Sequence, residues 1–144
     1  MSTKRIQDNA SYVLIQTMKE HRDRAATELD KLGVHVGQER VLAALWDEDG
    51  LVQSRIAEQL GIELPTMTKM LERMERADLV YRQRDQQDAR VSRVRLTERG
   101  HALRGAVQAA WEALDRQTFA GFTLEERILA RRFFLQMRAN LTHP

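Results

Sequence analysis

Seven arginines stand between positions 79 and 104 (Arg82, Arg84, Arg90, Arg93, Arg95, Arg99 and Arg104), opposed by only Asp85, Asp88 and Glu98. The whole chain of 144 residues balances 23 Lys and Arg against 21 Asp and Glu. Positive charge is therefore gathered in one place, the pattern of a local polyanion-binding face. Arginine suits that task because its planar fork of donors matches phosphate and guanine edges. Just upstream, Thr66, Lys69, Arg73 and Arg76 recur at helical spacing behind Pro65, with Thr68 on their flank. A helix carrying such a face can enter a major groove about 12 Å wide. There the short threonines can meet phosphates, base edges or thymine methyls. Lys69 and Arg73 have the reach for guanine or the backbone, and Arg76, further along, is expected to face the backbone.

Other chemistries find little support. The chain has no cysteine, which excludes disulfides, thiolate zinc sites and iron–sulfur clusters. Its histidines, His21, His35, His101 and His143, have no compact ligand spacing, so no metal is expected. There is no nucleophile elbow, phosphate loop or cofactor fingerprint. Glu125 and Glu126 are explained by a helix-capping box that begins at Thr123. Neither a cofactor nor an enzymatic activity is expected. The longest apolar run, Val41 to Trp46, falls far short of the ~20 residues that span a bilayer. Met1 to Ala10 is polar, and the expected location is the cytoplasm.

These side chains must be positioned by elements the patterning predicts. Apolar or small residues from Ile6 to Leu32 recur every three or four positions, which predicts one long amphipathic helix ending before Gly33. A second helix covers roughly Gln38 to Trp46, turning Val41, Leu42 and Leu45 inward, and Leu51-Val52 reads as a short strand. A third helix spans about Gln53 to Leu60, and Gly61 supplies the turn. A fourth opens at Pro65, which suits a first helical turn, and runs to about Ala77 with Met67, Met70, Leu71 and Met74 toward the core. Two alternating runs from Leu79 to Leu96 form a basic β-hairpin. Thr97 then caps a fifth helix through about Thr118, and the Thr123 box opens a sixth to about Leu141. The class is mainly α with a small β-hairpin wing: a winged helix-turn-helix at 36–100 within a single unit, with helical parts at 1–33 and 101–144.

The segments LVQSRIAEQLGI, LPTMTKMLERMERADLV and RQRDQQDARVSRVRLTERG occur in that order, with one helix before them and two after. From roughly Gln38 to Gly100 the chain resembles a MarR-family winged-helix regulator. The resemblance implies a homodimer in which the first, fifth and sixth helices interlock. It implies a pseudo-palindromic double-stranded DNA operator, read by two helices about one duplex turn apart, and most often repression. Arg90, beside Asp88, resembles the wing arginine that enters a minor groove, whose negative potential favours a guanidinium. Asp88 orients it, since a bare carboxylate would be repelled by phosphates. Arg84 and Arg93 are candidates for phosphate or structural contacts. The resemblance also implies a small aromatic or phenolic effector in a pocket bordered by Tyr12, His21, Trp46 and Trp111, although each of these also reads as an ordinary packing residue. Two positions depart from the family pattern: Val52 where a hydroxyl often caps, and Asp78 where glycine usually ends the recognition helix. The open alternatives are a constitutive architectural DNA binder, which a ligand screen separates, and a helical dimer acting as a ligand-binding or interaction module, which salt-dependent DNA binding excludes.

Overall fold

The computed structural model of the chain describes residues 4–142. The predicted first helix starts later than its periodicity suggested. A single 3-10 turn, Ile6–Asp8, stands apart, and α1 (Ala10–Asp30) begins after extended Asn9. There follow α2 (Gln38–Asp47), β1 (Leu51–Val52), α3 (Gln53–Leu60), α4 (Leu64–Arg76), β2 (Val80–Arg84) and β3 (Ser92–Leu96). Thr97 does cap the next helix, its hydroxyl accepting from the Gly100 N–H at 3.0 Å. That helix is not continuous to Thr118, however. It stops as α5 (Glu98–Ala102) and resumes beyond Leu103 as α6 (Arg104–Thr118). The last helix is α7 (Leu124–Thr142), opened by the reciprocal capping box of Thr123 and Glu126.

The chain divides into two compact units, Met1–Trp111 and Glu112–Pro144, with the division falling within α6. In the first unit β3 is the central strand of a three-stranded antiparallel sheet, with β1 on one side and β2 on the other. The register pairs Leu51 with Val94 and Val80 with Leu96. Val94 and Leu96 thereby face a core built from Leu29, Val41, Leu42, Leu45, Ile56, Met67, Leu71, Met74 and Leu79, all almost wholly buried. Burial on this scale is the main stabilising term, at about 1.5–3 kcal/mol for each large side chain.

Helix exits set the angles between these elements. At the end of α3 the Ile62 N–H bonds to the Ala57 carbonyl and the Gly61 N–H to that of Glu58, a Schellman turn with Gly61 left-handed at φ 64°. The end of α4 repeats the geometry with aspartate: Leu79 N–H to Met74 O, Asp78 N–H to Glu75 O, and Asp78 at φ 58°. Aspartate tolerates this region better than most residues, so the departure at Asp78 keeps the turn. Val52 caps α3 with extended backbone and no side-chain bond.

In the second unit Arg127 pairs with Asp115, and Phe119 meets the ring of Phe122 edge-on at 5.5 Å. Along α7, Leu124, Ile128, Phe133, Phe134 and Leu141 remain exposed.

Candidate nucleic-acid interface

The apolar period of α4 fixes what its other side presents. Met67, Leu71 and Met74 are fully buried, so Pro65, Thr66, Lys69, Arg73 and Arg76, on the opposite arc, face outward and are exposed. Pro65 sits in the first turn, where a missing N–H costs little. Among the described residues no ion pair engages Lys69, Arg73 or Arg76, and the exposed Glu72 is the acidic member of that arc.

Thr68 is different. It lies half-buried on the flank of α4, and its hydroxyl is already engaged, donating to the Leu64 carbonyl at 3.0 Å and accepting from Gln53 Nε2 at 2.5 Å. Gln53 Oε1 in turn accepts from Arg82 at 2.9 Å, and Arg82 Nε pairs with Glu75 at 3.1 Å. This network joins α3, α4 and β2. The sequence carries no signal for it beyond the residue types, because its members lie up to 29 positions apart.

The hairpin tip is a built loop. The Asp85 carboxylate accepts the N–H groups of Gln87 and Asp88, each at 3.1 Å, and the Asp85 N–H bonds to the Val91 carbonyl. Asp88 Oδ1 accepts from the Arg90 backbone N–H at 3.0 Å and from its Nε at 3.1 Å. That pairing aims the guanidinium while leaving the Arg90 side chain 92% exposed. Arg84 is exposed on β2, without an ion pair among the described residues. Arg93 is structural: it pairs with Asp85 and donates to the Gly50 carbonyl, each at 2.9 Å. The Arg93 bond and the loop N–H groups hold the Asp85 carboxyl below its ordinary range. A polar cleft of about 390 Å³ runs beside the hairpin, between Arg84, Gln87 and Arg95.

Of the four residues expected at an effector pocket, the structure brings two together. The rings of His21 and Trp111 lie 5.8 Å apart. Tyr12 is half-buried on α1. Trp46 is committed to the fold, its indole N–H donating to the Gly100 carbonyl at 3.0 Å. Arg99, one of the seven arginines of the basic stretch, has a structural role that the sequence does not signal: it donates to the carbonyl of Ala77 and, at 3.4 Å, to that of Leu32. It thus ties the exits of α1 and α4 to α5, where a cation is favoured by the helix dipoles. Among the described residues no cluster of three or more potential metal ligands occurs, and His143 lies outside them.

Comparison with known proteins agrees with this architecture. The MarR family model matches residues 36–92. The organic hydroperoxide resistance transcriptional regulator of Bacillus subtilis is 31% identical over 100 residues, covering 69% of this chain and 68% of the relative. The crystal structure of a MepR–DNA complex from S. aureus superposes with a TM-score of 0.83 at 26% identity, over 92% of this chain and 98% of that one. BpsR of Bordetella bronchiseptica, solved in a study of the regulation of its DNA binding by 6-hydroxynicotinic acid, shares the fold with a TM-score of 0.85 at 21% identity, over 95% and 98% of the two chains. With a winged helix presenting a cationic helix face and a guanidinium at the wing tip, the chain belongs to the MarR family of transcriptional regulators.

Proposed function

We propose that the protein is a homodimeric repressor that binds a pseudo-palindromic operator and is released from it by a small aromatic or phenolic ligand. The observation that carries the DNA reading is the pairing of two exposed cationic groups on one compact unit. One is the Thr66, Lys69, Arg73 and Arg76 arc of α4; the other is Arg90 at the wing tip. The arc suits a major groove and the tip a neighbouring minor groove. Pro65 sets the entry of the helix, Arg84 meets phosphate, and Asp88 aims Arg90 without touching DNA. The MepR–DNA complex supports the same use of a similar fold.

Dimerisation is supported by the apolar side chains left exposed on α1 (Val13, Ile15 and Met18) and along α7. Soluble monomers rarely leave such stripes uncovered. The effector reading is supported by the His21–Trp111 ring contact and by the ligand regulation named for BpsR. A ligand that favours a non-binding arrangement by about 1–3 kcal/mol would weaken operator binding by about 5- to 150-fold.

Selection of bound fragments from a random duplex pool, with and without phenolic acids, tests the proposal. Recovery of a two-fold symmetric site, lost when ligand is added, supports it. Arg73→Ala should relax the recovered sequence. A symmetric site that no ligand disturbs would leave a constitutive binder, and no recovered site would refute DNA recognition.

A further inference from the structure

Arg82 counts among the cations of the hairpin, yet its surroundings give it another task. Its side chain is 31% exposed, its Nε is paired with Glu75 at 3.1 Å, and a terminal nitrogen donates to Gln53 Oε1 at 2.9 Å. A guanidinium has only donors and does not deprotonate in proteins, so the oxygen of the Gln53 amide must face Arg82. The amide nitrogen must then face Thr68, 2.5 Å away. An amide nitrogen only donates, so the Thr68 hydroxyl accepts there. Its own hydrogen goes to the Leu64 carbonyl at 3.0 Å. The direction of every bond in the chain from Glu75 to Leu64 thus follows from the chemistry of Arg82.

We propose that Arg82 is a positioning and specificity-determining residue that, through Gln53, makes Thr68 an acceptor-only group at the edge of the recognition helix. This rests on the DNA-binding function proposed above. With its hydrogen turned inward, Thr68 offers the groove one oxygen lone pair and a methyl. That combination fits the exocyclic amine of adenine or cytosine and fails against the O6 and N7 acceptors of guanine. Arg82, neutralised by Glu75, adds nothing to phosphate binding.

The test uses the full-length protein and separates these roles by two readouts: base preference in fragments selected from a random duplex pool, and the slope of log affinity against log salt. Each phosphate contact contributes about −0.9 to that slope. Arg82→Met and Gln53→Leu should each relax the preference for an amine-bearing base at one position per half-site, by about three- to tenfold, the scale of one hydrogen bond. The salt slope should stay at the parent value. Thr68→Val should lose the same preference without gaining guanine. If Arg82→Met proves unfolded by thermal melting, Gln53→Leu, which keeps the Arg82–Glu75 pair, decides alone. A shallower slope in Arg82→Met would make Arg82 a phosphate contact, and unchanged base preference in Gln53→Leu would remove the polarity argument. Either result overturns the inference while leaving DNA binding intact; a parent protein that binds no duplex overturns both.

Discussion

Arg93 and Asp85 face each other across the hairpin at 2.9 Å, and the same guanidinium reaches the Gly50 carbonyl at 2.9 Å. One side chain therefore fixes the wing tip to β3 and β3 to the turn before β1. Because Asp85 also gathers the N–H groups of Gln87 and Asp88, the pair governs where the loop places Arg90.

Asp85→Asn should loosen this loop and weaken duplex binding by up to about fivefold, the upper range of a solvated ion pair. The helical circular dichroism should not change. The pH dependence has a definite sign. The Asp85 carboxyl is held below its ordinary range, so its contribution is present at neutral and mildly acidic pH. That contribution is lost only as pH falls through the lowered value. Anisotropy titrations of labelled duplex across acid pH, with parent and variant, check both statements.

Gly100 lets α5 press against the segment where α4 gives way to β2. A Cβ there would overlap the Leu79 carbonyl oxygen and lie 3.1 Å from Leu96 Cδ2. The Leu79 carbonyl also accepts the Thr97 N–H, and Trp46 bonds to the Gly100 carbonyl, so little nearby can yield. Gly100→Ala should destabilise the fold by about 1–3 kcal/mol, the usual scale of overpacking. A melting temperature equal to the parent's would show that the backbone accommodates the methyl.

Glu39, at the start of α2, is 5% exposed, with its carboxylate 2.6 Å from the Gly37 nitrogen. Burial raises its pKa above the ordinary value of 4.5, against the opposing pull of backbone N–H groups and of Arg40 and Arg22. The folded state then holds the proton more tightly than the unfolded one, and stability falls as pH rises through the raised value. Glu39→Gln should remove this component. Denaturant midpoints of variant and parent should separate as pH climbs above 4.5. Parallel curves would contradict the assignment.

Much of this arrangement is legible in the chain. The period of Met67, Leu71 and Met74 defines both faces of α4, and Pro65 marks its start through a backbone angle that proline favours, while Asp78 ends it in a left-handed conformation that aspartate tolerates. The break at Leu103 is not legible, because Leu103, Val107 and Ala110 keep a helical spacing across it. The separation of the Ile6–Asp8 turn from α1 is hidden in the same way by a continuous stripe. Thr68 shows a different limit. Its type and position suit a groove contact, and only the fold brings Gln53 to its hydroxyl and Arg82 to Gln53. The same holds for Trp46, whose aromatic character suits a ligand pocket while its N–H serves the Gly100 carbonyl. Periodicity reports which face is buried; it does not report which distant partner a polar atom finds.

Methylation protection on a selected operator distinguishes the two grooves, because dimethyl sulfate marks guanine N7 in the major groove and adenine N3 in the minor groove. N7 protection is expected within each half-site, from α4, and N3 protection beside it, from the wing. Arg90→Ala should abolish only the N3 signal. Protection confined to one groove, or an N3 signal that survives Arg90→Ala, would contradict a two-groove grip by this helix and wing.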